Sequence, residues 1–556
     1  MKKIFYFIII LLAFATNKSV AQNSAAKNSA KSVFTITTFA KDGSILASSH
    51  GFFTGQNNEA FAPWKPFVGA QRAVAVDAAG KKHDIEAVCG VNELYNVCKI
   101  RVSAAPSTTL PKQRFASASS GAKTWTVTYA LNNPKLSQAT VSNVETFSNT
   151  YKYYNLQENS SDEYEGCPLI NQNGQIIAML QPSAADNQLH AVDAQFIESL
   201  KVDNGLALND PVLRQTNLLI AFPNDQQKAA VMFMLASQQT DSLTYNRYIE
   251  QYLRQFPNAI EGYTQRATRL LNANRFSEVD REMQTALKNV TKKDEAHSTY
   301  ARLIYQKEIY KSTIPYSSWS FDRALDEAQK AYDISHNPVY QHQQAQIVYA
   351  KGDYNDAYQR FMALTKSMPN NGEIYLEAAQ CKQQLNAPKE EYMALLDSAV
   401  NVSSSEIASA PYILTRGNTH ALLGEYRAAV DDYNHYDSIY HGQPQNAEFY
   451  YVREQCEMKI KRYQQAMDDI NRAILLDNRN PQYWAEKASL HLRFSQYDDA
   501  IRSAEVCNKI AADYPDGWLI LGIAQLNKKN KTEARKALLK AKELGDTRAE
   551  TYLSKL

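Results

Sequence analysis

The fold of the C-terminal half is decided by residues 481–514, which read PQYWAEKASLHLRFSQYDDAIRSAEVCNKIAADY. This 34-residue pattern recurs on both sides of the stretch, because four columns of residues return with the same period. One column is aromatic, two hold small residues and one holds apolar residues: Tyr450, Trp484 and Trp518; Ala466, Ala500 and Ala534; Ala473, Cys507 and Ala541; Ile470, Ala504 and Leu538. A fixed period of this length indicates a repeat architecture, in which each unit buries its apolar face against the next.

An aromatic residue followed by small residues sixteen and twenty-three positions later resembles the tetratricopeptide repeat (TPR). The resemblance implies an all-α superhelical solenoid of helix hairpins, whose small residues let the two helices approach closely. In this family the first helix of each hairpin lines a concave face, which would bind a protein or peptide ligand. The spacing predicts Asn418, Tyr451, Gln455 and Ser489 as binding residues, while a merely solvated role for them stays open.

Looser copies of the period extend the helical region towards the N-terminus. Gly352-Asp353-Tyr354 and Gly424-Glu425-Tyr426 each mark a further hairpin. We predict about nine helix pairs between residues 223 and 545 and a short capping helix near Thr547–Leu556, so that residues 225–556 form the solenoid. An ordinary helical bundle is the alternative.

The N-terminus has the three parts of a secretory signal peptide. Lys2-Lys3 form the basic part, Ile4–Ala15 the apolar part, and Ser19-Val20-Ala21 a small-x-small cleavage site. The apolar run is too short to span a bilayer, and no cysteine follows the cleavage site, so neither an anchor nor the bacterial lipoprotein route is supported. We therefore expect residues 1–21 to be removed, and the bacterial protein, without a transmembrane segment, to be periplasmic or extracellular.

The composition argues against several classes of protein. The 60 Lys and Arg residues nearly balance the 58 Asp and Glu residues, which is unlike the basic surface of a nucleic-acid binder. No CxxC or His/Cys cluster has the spacing of metal ligands, and the sequence predicts neither a metal nor another cofactor. Cys89 and Cys98 flank a predicted hairpin, and in an exported protein the sequence leaves a disulfide between them open.

Residues 31–200 have a different sequence pattern, in which short stretches of alternating apolar residues are separated by turn signals. The strands predicted there are Ser32–Phe39, Arg72–Val76, Val97–Val102, Lys123–Tyr129 and Gln175–Leu180. Together they indicate a closed or sandwiched β-structure. Asp203-Asn204-Gly205 and Asn209-Asp210-Pro211 then interrupt regular structure, so residues 201–224 are predicted to be a linker.

Two stretches of this β-domain resemble a bacterial trypsin-like serine protease. His50-Gly51-Phe52-Phe53, with the strand that ends before Asp77-Ala78-Ala79-Gly80, is similar to the start of that domain. Gly166-Cys167-Pro168-Leu169-Ile170-Asn171 is similar to the segment around its nucleophile. The resemblance implies two β-barrels and a triad of a Ser nucleophile, a His base and an Asp that orients the base.

The catalytic positions that the resemblance implies carry other residues. The His position falls on Lys65, the Asp position on Asn96 and the Ser position on Glu165. Glu163 stands at the glycine position whose backbone N–H would stabilise the oxyanion. Cys167 has no histidine in the loop that normally supplies the base, so we predict that it fills space rather than attacks a substrate.

Three functions were compatible with these features. The favoured one is a non-catalytic secreted adaptor, in which a pseudoprotease domain is joined to a TPR solenoid that binds a protein or peptide. The alternative is an active trypsin-like serine hydrolase with an unrecognised site. A third is a structural part of an envelope complex without an exchangeable ligand, and no sequence feature separates it from the first.

Overall fold

The computed structural model describes residues 24–55, 58–104 and 110–556. The chain forms two compact units, Met1–Lys292 and Lys293–Leu556, and the first contains the β-domain together with the first helices. The predicted signal peptide, residues 1–21, lies outside the described residues. Among the helices that are described, none is both long enough and apolar enough to cross a membrane.

Two closed six-stranded barrels make up the β-domain, and both have the same strand connectivity. The order of neighbours is β1-β2-β3-β6-β5-β4 in the first barrel and β7-β8-β9-β12-β11-β10 in the second. The first barrel contains β1 (Val33–Phe39), β2 (Ile45–Phe53), β3 (Glu59–Ala62), β4 (Arg72–Asp77), β5 (Lys82–Asn92) and β6 (Val97–Val102). The second contains β7 (Lys123–Thr128), β8 (Lys135–Phe147), β9 (Tyr151–Asn159), β10 (Pro168–Ile170), β11 (Ile176–Pro182) and β12 (Gln188–Asp193). The predicted trypsin-like double barrel is confirmed.

Alternation along the strands explains why each barrel closes around an apolar interior. In β1, Phe34 and Ile36 are fully buried, while Thr35 between them and Thr37 after them are partly exposed. The ring of Phe34 lies 4.6 Å from that of Phe53 on the neighbouring strand. A period of two places one face of each strand inside, and bulky aromatic side chains then fill the barrel.

The segment predicted as a linker packs against the first barrel. Ile220 forms a parallel bridge with Val88 of β5, and the backbone N–H of Ala221 donates to the Val88 carbonyl at 2.8 Å. The N–H of Ile220 donates to the hydroxyl of Tyr248, which lies on a helix of the same unit. Residues 218–222 are buried in the core that this barrel shares with the first two helices. The compact units divide instead between Lys292 and Lys293.

Helices follow the barrels in consecutive pairs, and a short last helix ends the described chain. The pairs are α1 (Gln226–Gln239) and α2 (Ser242–Gln255), α3 (Ile260–Asn272) and α4 (Phe276–Asn289), α5 (Lys293–Tyr310) and α6 (Phe321–Ser335), α7 (Pro338–Ala350) and α8 (Tyr354–Leu364), α9 (Gly372–Gln384) and α10 (Lys389–Asn401), α11 (Glu406–Leu422) and α12 (Tyr426–Ile439), α13 (Ala447–Lys459) and α14 (Tyr463–Leu476), α15 (Pro481–Arg493) and α16 (Tyr497–Ile510), α17 (Pro515–Asn527) and α18 (Lys531–Glu543), then α19 (Arg548–Leu553). The predicted TPR-like solenoid is confirmed.

The repeat columns have the roles that the period predicts. Ala466, Ala500 and Ala534 are completely buried where the helices of a pair meet. The indole N–H of Trp484 donates to the Asn478 carbonyl at 3.0 Å, and the equivalent indole in the next repeat bonds a carbonyl six residues before it. The aromatic column therefore fastens the loop that precedes each first helix. The small column lets the paired helices approach closely.

The first helices of successive pairs also pack against one another. This contact joins α5 to α7, α9 to α11, and α15 to α17. In these three places a first helix is packed both on its partner and on the next first helix. These helices form an inner row, and the side chains that this row leaves exposed are the candidates for ligand contacts.

Candidate functional sites

Lys65 and Asn96 lie together at one edge of the first barrel. Lys65 begins a short helical turn after β3, and Asn96 precedes β6. The Oδ1 atom of Asn96 accepts hydrogen bonds from the backbone N–H of Trp64 at 3.1 Å and of Lys65 at 2.8 Å. The amide side chain therefore fixes the backbone of the turn, and the side chain that the turn presents is an ammonium group.

Glu165 follows a second short helical turn, Asp162–Tyr164, just before β10. Its backbone N–H donates to the Asp162 carbonyl at 3.1 Å, so this amide is consumed by the turn itself. Burial raises the pKa of the Glu165 carboxyl and the charge of Asp162 acts in the same direction, whereas Lys65 opposes both. The influence of Lys65 requires proximity, so the structure brings together Lys65, Asn96 and Glu165.

A cleft of about 550 Å³ opens beside these residues, with walls from both barrels. Lys65 and Asn96 line it from the first barrel, and Gln181 and His190 line it from the second. The amide of Gln181 donates to the carbonyl of Tyr95 across the cleft at 2.6 Å. The cleft thus offers an ammonium group, two amides and an imidazole to whatever enters it.

The histidines of the barrels are bound to partners other than nucleophiles. His83 Nε2 lies 2.9 Å from a carboxylate oxygen of Asp77, and His190 Nδ1 lies 2.8 Å from the Asn155 amide oxygen. His50 Nδ1 lies 3.2 Å from the backbone carbonyl of the residue at the nucleophile position. Across the described chain, no histidine is hydrogen-bonded to a Ser, Thr or Cys side chain.

Cys167 is buried at the start of β10. Its thiol donates to the Glu163 carbonyl, with 3.4 Å between sulfur and oxygen, and burial raises the pKa of the thiol to about 12. A thiol with such a pKa is protonated at neutral pH and is a poor nucleophile. All six cysteines are free and buried, so the disulfide between Cys89 and Cys98 that the sequence left open is not formed in this structure.

Two of the predicted binding residues, Tyr451 and Gln455, meet the next first helix in the row. The hydroxyl of Tyr451 accepts a hydrogen bond from Gln482 Nε2 on α15 at 2.5 Å. The amide of Gln455 donates to Glu454 at 2.6 Å and also hydrogen-bonds Glu486 on α15. Tyr451, Gln455, Gln482 and Glu486 are all partly exposed. Neighbouring repeats are therefore joined here by a polar network with an accessible surface.

The other two predicted residues are placed differently. Asn418 is exposed on α11, and its amide oxygen accepts a hydrogen bond from the Tyr433 hydroxyl at 2.8 Å. Ser489 is partly exposed on α15, the helix that Tyr451 and Gln455 contact. The row thus brings Tyr451 and Gln455 against the helix that bears Ser489, while Asn418 lies on the preceding pair and is bonded within it.

Two buried carboxylates beside this network were not predicted from the sequence. Glu454 and Glu457 on α13 are 0% and 3% exposed, and each has a carboxylate oxygen to which no described residue donates. Burial raises the pKa of both to about 8, with the charge of Glu486 adding to the shift of Glu454 and that of Asp469 to the shift of Glu457. A glutamate on an amphipathic helix is usually solvated. The repeat period places both residues on the helix but does not show that the next repeat covers them.

No cluster of His, Cys, Asp and Glu in the described part of the chain is arranged to hold a metal ion. No family model matches the chain, and no curated protein matches it. Both folds are therefore assigned from the strand order of the barrels and from the pairing of the helices.

Solved structures resemble parts of the chain at low identity. YrrB, described as a TPR protein with an unusual peptide-binding site, is 18% identical with a TM-score of 0.31, over 35% of this chain and 98% of its own. The Rv3671c protease from M. tuberculosis in its active form is 17% identical with a TM-score of 0.28, over 33% of this chain and 84% of its own. MamA is 20% identical with a TM-score of 0.24, over 37% of this chain and 96% of its own. These likenesses carry no information about activity.

Proposed function

We propose that this protein is an exported, non-catalytic adaptor that binds a protein or peptide segment on the inner row of its repeat helices. The observation that carries the proposal is the network of Tyr451, Gln455, Gln482 and Glu486 between α13 and α15. Its hydrogen bonds hold the side chains in place before a ligand arrives, which reduces the entropy lost on binding. Tyrosine also supplies a large contact area with few rotatable bonds.

The barrels serve this adaptor without performing acyl transfer. Such a reaction needs a nucleophile, a base and a donor to the oxyanion. Glu165 stands where the nucleophile is required, Lys65 where the base is required, and the Glu165 N–H is occupied by the Asp162 carbonyl. Asn96 adds a neutral amide where a carboxylate would orient the base. These features support a pseudoprotease domain whose cleft remains open.

Export to the periplasm or beyond the cell is part of the same proposal. It rests on the basic, apolar and small-x-small parts of residues 1–21. The partner is accordingly sought among envelope and secreted proteins, rather than among nucleic acids or cytoplasmic enzymes.

The proposal is tested by affinity capture from an envelope extract with the full mature chain. We expect a defined protein to be retained by the wild type and lost with Tyr451→Ala or Gln455→Ala. Lys509→Ala, at an exposed position on the second helix α16, is the matched control and retains it. Capture that is absent, or equal in all four proteins, contradicts binding through the inner row.

A further inference from the structure

The first compact unit contains a cavity of about 740 Å³ between the first barrel, residues 207–220 (the connecting segment) and the helices α1 and α2. A volume of this size lies within the usual range for ligand pockets. Amides and hydroxyls are frequent among its lining groups: Gln71, Asn217, Gln239, Thr216, Thr240 and Thr244. The cavity shares no residue with the cleft at the barrel edge or with the network between α13 and α15, so it is a separate candidate site.

Backbone hydrogen bonds hold the barrel side of this cavity together. The N–H of Asn217 donates to the Ala70 carbonyl at 2.9 Å, and the N–H of Gln71 donates to the Phe39 carbonyl at 2.8 Å. Phe39 is the last residue of β1, and Lys41 stands in the turn that follows. The turn after β1, the start of β4 and the connecting segment are therefore neighbours in one wall.

The helical side of the cavity is fixed to the same connecting segment. Gln239 Nε2, at the end of α1, donates to the Asn209 side-chain oxygen at 3.0 Å. The Ile220 N–H donates at 3.2 Å to the hydroxyl of Tyr248 on α2, and this tyrosine is buried. The two walls are thus held against each other by the protein itself, and the volume between them is formed before a ligand arrives.

Four side chains of the barrel-side wall have no partner within the described part of the protein. Lys41, Gln71, Arg214 and Asn217 line the cavity, and their side chains form no ion pair and no hydrogen bond there. All four are exposed. Each of them carries N–H donors, and the ammonium and the guanidinium each add a positive charge.

The carboxylate among the lining residues is used by a helix N-terminus. Asp241 Oδ1 accepts from the backbone N–H groups of Leu243 and Thr244 at 2.9 and 3.1 Å, and its Oδ2 accepts from the Thr244 hydroxyl at 2.6 Å. It does not lie within ion-pair distance of Lys41 or Arg214. The two positive charges of the wall therefore have no counter-ion among the described residues.

We propose that this cavity binds the phosphate monoester group of a phosphorylated sugar, with Lys41 and Arg214 as its ion-pair partners. Such a group carries a charge of about −1.5 to −2 at neutral pH and has three acceptor oxygens, which suits two cations and two amide donors. A carboxylate has a single charge and two oxygens, and would leave part of this set unused. Arginine binds phosphate through two parallel hydrogen bonds, and lysine binds it as a point charge.

The rest of the cavity suits the hydroxylated body of the ligand. The hydroxyls of Thr240 and Thr244 donate within their own helix ends and keep acceptor lone pairs for a sugar hydroxyl. Leu208 and Leu213 of the connecting segment add an apolar surface. A sugar ring presents hydroxyls at its edge and C–H groups on its faces, so it meets both kinds of surface, and the cavity is much larger than a phosphate ion alone requires.

Isothermal titration calorimetry on the full mature chain at low salt tests the proposal with four probes: glucose 6-phosphate, glucose 6-sulfate, glucose and inorganic phosphate. We expect glucose 6-phosphate to bind about tenfold or more tightly than each of the others, because it alone combines the dianion with the sugar. Its affinity should fall at pH 5, where the phosphate takes up a proton and keeps one charge, while the affinity for the sulfate should not change.

Variants assign the effect to the two cations. Arg214→Gln and Lys41→Gln should each weaken the binding of glucose 6-phosphate by about tenfold or more. Arg281→Gln on α4 and Lys82→Gln on β5 are the matched controls at exposed positions of the same unit, and should keep the wild-type affinity. All four variants should unfold at the wild-type denaturant concentration, whereas a residue that only supported the fold would lower the unfolding midpoint when replaced.

Three results overturn the inference: no binding of glucose 6-phosphate, equally tight binding of any other probe, or an undiminished affinity in both Arg214→Gln and Lys41→Gln. Capture of an envelope protein through Tyr451 is an independent measurement on another part of the chain. The adaptor function therefore stands or falls separately from this cavity.

Discussion

The protease-like edge of the barrels and the inner row of repeat helices differ in whether their polar groups find partners within the protein. At the barrel edge, Asn96 Oδ1 accepts from two backbone amides, and the Glu165 N–H is taken by its own turn. In the inner row, Arg302 has no counter-ion among the described residues, and Glu454 has a carboxylate oxygen without a donor. These groups of the barrel edge are hydrogen-bonded internally, although the buried indole N–H of Trp64 beside them has no partner among the described residues, whereas the two groups of the inner row are not.

This difference separates residues that maintain a fold from residues available to a partner. The Asn96 Oδ1 atom and the Glu165 N–H stabilise turns, and their internal hydrogen bonds occupy them. A buried polar group without a hydrogen-bond partner lowers the stability of the free chain. The comparison is consistent with the proposal that the helices, and not the barrel edge, bind the partner.

The largest effect is expected where the barrel edge is packed most tightly. Gly166 has φ +76°, and a Cβ at this position would lie 2.1 Å from the His50 carbonyl oxygen. Gly166→Ala should lower the free energy of unfolding by about 2–5 kcal/mol, from the left-handed backbone and the clash together. Denaturant unfolding of the full chain measures this loss of stability.

Gly121→Ala is the matched control, because its φ is +80° but nothing lies within 4 Å of an added Cβ. Gly121→Ala should lower the free energy of unfolding only through the left-handed backbone, by about 1–2 kcal/mol. Equal losses in the two variants would mean that the edge is looser than its contacts indicate, and would weaken the contrast between the two regions.

The next effect tests the small columns that set the spacing of the inner row. Ala500→Leu and Ala534→Leu enlarge fully buried positions between paired helices, and overpacking of this kind costs about 1–3 kcal/mol. Lys509→Leu introduces the same side chain at an exposed position of α16 and should leave the unfolding midpoint unchanged. Unaltered thermal stability in both alanine variants would show that these columns are not the helix contacts.

A smaller effect is expected from the pH dependence of the inner row. The folded pKa of Glu454, about 8, lies above its ordinary value of 4.5, because burial and the charge of Glu486 disfavour the ionised form. Below about pH 4.5 both the folded and the unfolded chain hold the proton, and the contribution to stability is fully present. As the pH rises towards 8 the unfolded chain loses the proton first, so stability is lost across this window.

Glu454→Gln removes this ionisation and should flatten the decline, raising stability at pH 8.5 by on the order of 1–2 kcal/mol relative to the wild type. Glu505→Gln, at an exposed carboxylate of α16, serves as the control. Unfolding by denaturant at pH 5 and pH 8.5 provides the measurement. Parallel pH profiles for Glu454→Gln and the wild type would show that the carboxylate is not held protonated.

No effect at all is expected from the residue at the nucleophile position. Glu165→Ala should leave any peptidase or esterase reading at background, and a serine-directed fluorophosphonate probe should not label the wild type. The reason is that Lys65, Asn96 and Glu165 supply no nucleophile–base pair. Stoichiometric labelling of a serine in residues 31–200 would favour an active hydrolase, and the functional site would then lie in the barrels.

The periodic spacing of apolar residues predicted the helices and strands that bury one of their faces. The 34-residue columns predicted helix pairs stacked in a solenoid, and alternation predicted strands such as Val97–Val102, which is β6. The resemblance to a trypsin-like domain, and not periodicity, singled out Lys65, Asn96 and Glu165 in three separate segments, which the structure brings together.

Other features depended on contacts between distant residues and had no local signal. Residues 201–224 contain turn signals and are predicted to be a linker. Residues 218–222 are nevertheless buried, and the backbone of this segment is hydrogen-bonded to Val88 of β5. Cys89 and Cys98 are close in sequence, and only the packing of the first barrel leaves both thiols free. Exposure of a residue depends on its spatial neighbours, which composition does not specify.

The sequence by itself determined a double barrel followed by stacked helix pairs, because period and residue type act within one element or between adjacent ones. Only the tertiary structure decided which charges are covered without a partner. Glu454 is completely buried, and the Arg302 guanidinium has no carboxylate partner among the described residues. Burial and pairing of a charge depend on neighbours from distant parts of the chain, which no local pattern of the sequence specifies.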